Sequence, residues 1–267
     1  MKGGGEMVRK VTSLLTISMF LFSFLYAAPV NLPSSIKGLK GEIWSHEYES
    51  EQIEISVGIE TDFVTERELD ELDAKAEGNL YTAKLVFSSA EKFDFYVNLG
   101  QAQDIEYKAT ILGSDVKFDL EDEFTWGAGI SYAFTSDDDP FQIGIDAKYR
   151  QITDIDYDSV TIDGATYKKS QLGGKTAAKW KEWQVALIVS KKFNYFVPYA
   201  GMKYSDVDAS AKAIVSGTTY DLGSTDSESK VGVFVGCSII PIEQFSIDLE
   251  ARFVDETAFT ARVSFKF

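Results

Sequence analysis

The chain has 267 residues, and its 42 Asp and Glu outweigh 26 Lys and Arg to give a formal charge of −16. That balance is hostile to nucleic acid, which is bound through a basic stripe. The single Cys237 excludes an intramolecular disulfide, and beyond Leu25 no apolar run is long enough for a spanning helix, because Gly232, Gly236 and Pro241 break the stretch from Val231 to Ile242.

The amino end has the order of a secretory signal peptide. Lys2, Arg9 and Lys10 give a positive start, Val11 to Leu25 is uncharged and apolar, and Ala27 and Ala28 supply small residues before Pro29. Cutting after Ala27 leaves Leu25 at the −3 position; cutting after Ala28 puts Tyr26 there and Pro29 at +1, so the first cut is favoured. Met7 offers a second start, since Met7-Val-Arg-Lys is itself a complete basic region. No Cys near the junction could carry a lipoprotein anchor. Three parts follow: a leader over 1–27, a segment over 28–51, and a β domain over 52–267. The middle segment shows no alternation, which leaves it two places, the periplasm or the lumen of a barrel.

From residue 52 onward the pattern has a period of two. Ten segments alternate an apolar with a polar face, as half-buried strands do. Ile53 to Phe63, Tyr81 to Phe87, Phe93 to Leu99, Phe124 to Phe134 and Phe141 to Tyr149 are the first five. Trp183 to Val189, Phe196 to Tyr204, Val231 to Ile239, Phe245 to Phe253 and Phe259 to Phe267 complete the set. Each is near the ~10 residues that a tilted strand needs to cross a bilayer. Trp126, Trp183, Phe134, Phe141, Phe196 and Phe245 fall near segment ends, where aromatic girdles form.

Connection lengths alternate. Short turns follow the second, fourth, sixth and eighth segments, at Ser88–Lys92, Thr135–Pro140, Ser190–Tyr195 and Pro241–Gln244. Most other links are long, the brief one at Val254–Thr257 excepted. Short turns on one side and long loops on the other are the outer-membrane pattern, with the short turns periplasmic. Three long loops each place a Gly in a tight reversal between β-prone residues, at Gly113, Gly164 and Gly217, so they read as hairpins extending the wall outward. Asp163-Gly164 is a preferred type I′ pair.

The faces opposite the apolar ones carry Glu54, Glu60, Asp94, Asp146, Glu182, Asp248 and Glu250 against Lys84, Lys148, Arg150, Lys203, Lys230, Arg252, Arg262 and Lys266. A narrow lumen lined by this nearly neutral set is expected to be filled by paired charges rather than to conduct. Asp146, Lys148 and Arg150 on one strand, with Asp248, Glu250 and Arg252 on another, read as parts of a salt-bridge network. The surplus acid then lies in loops, in Glu66 to Glu77 and Asp119 to Glu123. Those runs lack EF-hand spacing, so they imply no specific metal site and no cofactor. His46 is the one histidine and precedes the first strand, so neither a Ser-His pair within a strand nor a histidine at the outer rim can be built. The expectation is that the protein is not an enzyme.

The last nine residues, Phe259-Thr-Ala-Arg-Val-Ser-Phe-Lys-Phe267, alternate strictly and end on an aromatic. An exposed terminal strand of this kind invites aggregation in water. With Val263, Phe265 and Phe267 on one face, it resembles the C-terminal signal read by the barrel-assembly machinery. Phe95-Tyr-Val-Asn-Leu-Gly100 and Pro198-Tyr-Ala-Gly-Met-Lys-Tyr-Ser205 are similar to the aromatic–Gly strands of the OmpA-like outer-membrane β-barrel superfamily. The chain departs from that superfamily's best-known members in having about ten strands rather than eight, and in lacking a peptidoglycan-binding domain after the barrel.

The fold expected is all-β: a transmembrane, antiparallel up-and-down barrel of about ten strands, with eight or twelve as alternatives. The expected location is the outer membrane of a diderm bacterium, with lipid and lipopolysaccharide as surroundings. The role expected is structural or surface-interacting, with a largely occluded lumen; a narrow porin-like channel is the alternative.

Overall fold

The computed structural model describes residues 28–40, 53–68, 74–89, 92–111, 113–135, 139, 141–172, 175–215, 218–225 and 227–267. The leader 1–27, His46 and the acidic residues Asp70, Glu71 and Asp73 lie outside this set.

Among the described residues, fourteen strands form one sheet. They are β1 (Ile53–Glu68), β2 (Lys75–Ser89), β3 (Phe93–Ile111), β4 (Ser114–Leu120), β5 (Glu123–Ala133), β6 (Gln142–Ile155), β7 (Tyr157–Ile162), β8 (Ala165–Lys168), β9 (Lys175–Ser190), β10 (Phe196–Val215), β11 (Thr218–Thr225), β12 (Val231–Ile242), β13 (Phe245–Phe253) and β14 (Thr257–Lys266). Among the described residues two single-turn helices accompany them, α1 (Ser34–Lys37) and α2 (Lys169–Leu172). The ten alternating segments of the sequence are β1, β2, β3, β5, β6, β9, β10, β12, β13 and β14, and they pair in that order into a ring. β14 closes the ring on β1 in antiparallel register, with Phe259 opposite Phe63 and Phe265 opposite Val57. Closure removes the free edges that a lipid-exposed sheet could not tolerate.

The other four strands belong to the outer rim. β3 and β10 run 19 and 20 residues, about twice what a bilayer crossing requires, and their overhangs fold back on β4 and β11. The residues flanking the three Gly-centred reversals pair as hairpins do: Ile111 with Ser114, Ile162 with Ala165, and Val215 with Thr218; Gly217 itself lies outside the described residues. Asp163 and Gly164 both have positive φ, 48° and 83°, as a type I′ turn requires. β7 also pairs β4, and Asp115 N donates to Asp163 Oδ1 at 3.0 Å, so two hairpin tips are tied together.

The interior is layered. Toward the outer rim lies an apolar cluster that includes Tyr107, Phe118, Val160 and Trp180. Toward the short-turn rim lies a second, where Val30, Leu32, Ile36 and Leu39 pack on Ile188, Tyr199, Phe234 and Ile240 of the wall. Polar side chains occupy the space between. Residues 28–40 are therefore inside the barrel, and residues 41–51 of the same segment lie outside the described residues.

Close strand packing depends on two glycines in particular. A Cβ at Gly201 would stand 2.0 Å from the Leu187 carbonyl oxygen of the neighbouring strand. A Cβ at Gly236 would stand 2.2 Å from Tyr199 Cζ, because that ring occupies the space a side chain there would need.

Candidate functional site

The lumen is built by strand alternation. Along β6, Asp146 and Arg150 point inward and are buried, while Ile143 points outward and is exposed. β13 does the same with Asp248, Glu250 and Arg252 inward, and β9 with Glu182.

The wall supplies most of the polar partners of the segment inside it. The peptide N–H groups of Ala28, Val30 and Asn31 donate to Glu182 Oε1 at 3.1 Å, Glu250 Oε1 at 3.1 Å and Asp146 Oδ2 at 3.2 Å. Ser34 donates to Asp94 Oδ2 from both its backbone N (2.8 Å) and its Oγ (3.0 Å). Carbonyls are answered by cations: Lys148 binds the oxygen of Pro29, Arg262 Nη2 reaches that of Val30 at 3.2 Å, and Lys266 Nζ that of Leu39 at 3.0 Å. Lys37 Nζ meets Asp248 Oδ2 at 2.6 Å. Unpaired backbone groups in a dry interior each cost on the order of 1–3 kcal/mol, and these bonds answer four of the segment's peptide N–H groups and three of its carbonyls.

The sequence-derived charges are placed as follows. Glu60 pairs with Arg262 at 2.7 Å and with Lys84 at 3.8 Å; Lys84 also sits 4.1 Å above the Tyr96 ring. Asp146 lies 3.6 Å from Lys148 and accepts from Tyr96 Oη at 2.8 Å. Arg150 reaches Glu182 at 2.9 Å, and Arg252 reaches Glu250 at 3.5 Å. Lys203 is held by Asp255 and Glu256, and Lys266 by Glu54 at the short-turn rim, where Glu54 is partly exposed. Lys230 corrects the expectation. It precedes β12 at the outer end, is about a third exposed and pairs with Asp206 at 2.8 Å, so it stands outside the buried set.

Five charged residues of this network had not been assigned to it. Asp62 lies 3.8 Å from Arg150 and 2.5 Å from Arg252, and so joins the two strand groups that had been read as one network. It alternates in phase with Glu60, a signal that was present in the sequence. Arg67 continues that phase beyond a β-bulge after Val64 and is fully buried. Lys37 sits on the lumenal segment, where no periodicity marks it. Asp255 and Glu256 come from the β13–β14 turn, which bends into the lumen at Val254, φ 85°.

The outer surface is apolar. Trp126 stacks near Tyr149, with ring centres 5.6 Å apart, and Trp183 near Tyr204 at 5.2 Å, toward the long-loop rim. Phe134, Phe141 and Phe196 are exposed at the other rim, and Phe245 is half-buried there. Val263 and Phe265 face outward, Phe267 packs edge-on to Phe265 at 5.1 Å, and Phe267 N donates to the Ile55 carbonyl. Two of the acidic loop residues are partnered, Asp119 by Lys117 at 3.0 Å and Glu121 by Lys169 at 2.6 Å.

No family model matches the chain. Over 146 residues it is 25% identical to the major outer membrane porin, serovar H, of Chlamydia trachomatis, a match covering 40% of this chain and 37% of the porin. The matched region thus spans little more than a third of that relative. Among solved structures, the outer membrane protease OmpT of Escherichia coli aligns with a TM-score of 0.46 at 8% identity, over 85% of this chain and 99% of that one. OprG, an outer membrane protein of Pseudomonas aeruginosa, aligns with a TM-score of 0.37 at 15% identity, over 80% and 95%. The closed ring, its apolar exterior and its charged interior make this chain an outer-membrane β-barrel.

Proposed function

We propose that this is a structural or surface-interaction barrel of the OmpA-like kind, without enzymatic activity, whose lumen is closed by residues 28–40 after a leader over 1–27 is removed. The observation carrying this reading is the set of bonds from Val30, Asn31, Ser34 and Lys37 to Glu250, Asp146, Asp94 and Asp248. These four wall carboxylates are spent on the plug, and Glu60 is held by Arg262, so a cation passing them would have to displace a formed hydrogen bond or ion pair. The apolar cluster around Trp180 adds a second barrier nearer the outside. Outward, the exposed aromatic rims suit lipid and lipopolysaccharide, and Val263, Phe265 and Phe267 suit recognition by the assembly machinery.

A narrow channel is the second reading, favoured by the partial similarity to a porin. Single-channel recording on protein beginning at Ala28 and refolded into planar bilayers separates the two. Closure predicts conductance near zero, rising when residues 28–40 are deleted. Large, stable steps from the intact protein would reject it in favour of the channel.

A further inference from the structure

We propose that the α-ammonium group created at Ala28 by removal of residues 1–27 is itself a member of the lumenal charge network, pairing with Glu182 and anchoring the inner end of the plug. The proposal rests on the plugged-lumen reading above. In the processing step water adds across the amide between Ala27 and Ala28. The carboxylate departs with Ala27, and the amine left on Ala28 takes up a proton, as an α-amino group does at neutral pH.

Ala28 N lies 3.1 Å from Glu182 Oε1, and Ala28 and Glu182 are only 4% and 2% exposed. The second oxygen of Glu182 is taken by Arg150 at 2.9 Å. That guanidinium is shared with Asp62, 3.8 Å away, whose Oδ2 accepts no hydrogen bond among the described residues. Two buried carboxylates thus draw on Arg150. A peptide N–H brings Glu182 one proton and no net charge. An ammonium in the same place brings a full positive charge and three donors, and charge-assisted bonds are roughly twice as strong as neutral ones.

Position matters as much as charge. The bonds from Val30, Asn31 and Ser34 come from internal peptide groups, which processing leaves unchanged. Ala28 is the residue where processing alters the chemistry of a lumenal contact. Cutting one residue later would remove that contact with Ala28 itself. Maturation and plug docking are therefore coupled through one ion pair.

The test has two parts. Mass spectrometry of barrel extracted from outer membranes should give a first residue of Ala28; any other start overturns the proposal. Protein beginning at Ala28 is then refolded with a free or an acetylated amino end, in wild-type and Glu182→Gln backgrounds, and amide exchange is followed over residues 30–37. Acetylation should speed exchange about tenfold in the wild type, from the loss of a charged hydrogen bond, and should have little effect in Glu182→Gln. Equal, strong protection of the free and acetylated wild type would overturn the anchor while leaving the plug in place. Rapid exchange in both would overturn the plugged lumen as well. If Glu182→Gln fails to refold, the acetylated and free wild-type proteins still decide the matter.

Discussion

Lys37 Nζ, on the single helical turn inside the barrel, lies 2.6 Å from Asp248 Oδ2 on β13, with each side chain 5% exposed. The two ends of this pair are not equivalent. Asp248 also has Arg262 at 3.6 Å and a hydrogen bond from Ser238, whereas no other carboxylate lies within ion-pair distance of Lys37 among the described residues. Asp248→Asn strands a buried ammonium and should destabilise by about 3–5 kcal/mol, while Lys37→Met should cost only about 1–3 kcal/mol. Urea titration of refolded protein measures both, and the reverse order would reject this account of the pair.

Gly201→Ala places a methyl 2.0 Å from the Leu187 carbonyl oxygen, and backbone cannot move aside as a side chain can. The expected loss is about 1–3 kcal/mol, with faster exchange along the β9–β10 seam. Gly113, with nothing within 4 Å of a Cβ, has no such neighbour. Its φ of 82° still strains an alanine, but the effect should remain at the hairpin tip. An unchanged seam in Gly201→Ala would contradict the packing argument.

Leu187 is 52% exposed on the outer face, between the two aromatic rims. Leu187→Arg should cost about 2–4 kcal/mol in lipid, as charged residues do near the bilayer midplane. A cost near zero in lipid vesicles would show that this face does not meet hydrocarbon.

Burial pushes the Asp156 carboxyl up, but bonds from Lys169 and Thr176 outweigh it and hold it below its ordinary value of 3.8. A depressed carboxylate stabilises the fold above its ordinary value, and that contribution drains as pH falls through the folded one. Amide protection at Thr176, which donates to Asp156, should therefore be steady from pH 7 to about 5 and fall below about 4. Asp156→Asn should flatten the profile; an unchanged profile would dissociate the carboxylate from the effect.

Deleting Phe267 removes one aromatic contact with Phe265 and the bond to Ile55 at the seam where β14 closes on β1. The energetic loss is modest, so export should continue while the rate of membrane insertion falls. Surface display at the wild-type rate would show that the tail is an ordinary strand.

Much of the wall was legible because a strand has a period of exactly two residues. Ile53 through Phe267 could be assigned to ten strands, and Glu60, Asp146, Glu182 and Arg252 to the inward face, without knowing any partner. Gly113 and Gly164 marked two of the outer hairpins because reversals of that tightness need positive φ, which glycine adopts without strain. Lys230 was misplaced because alternation does not reveal where a strand starts.

What the sequence determined by itself was therefore local: the strand pattern, the two-sided alternation, the turn chemistry and, from these, the barrel. Which charges meet was decided only by the tertiary structure. Asp62 joins Arg150 to Arg252 because ring closure brings β1, β6 and β13 to face one lumen, and Asp255 and Glu256 enter it because their turn bends at Val254. Residues 28–40 have no periodicity to read, since nearly all of them up to Leu39 are buried and so present no regular wet face. Its place is fixed by donors and acceptors up to 232 residues away in the chain, and no local pattern encodes that distance.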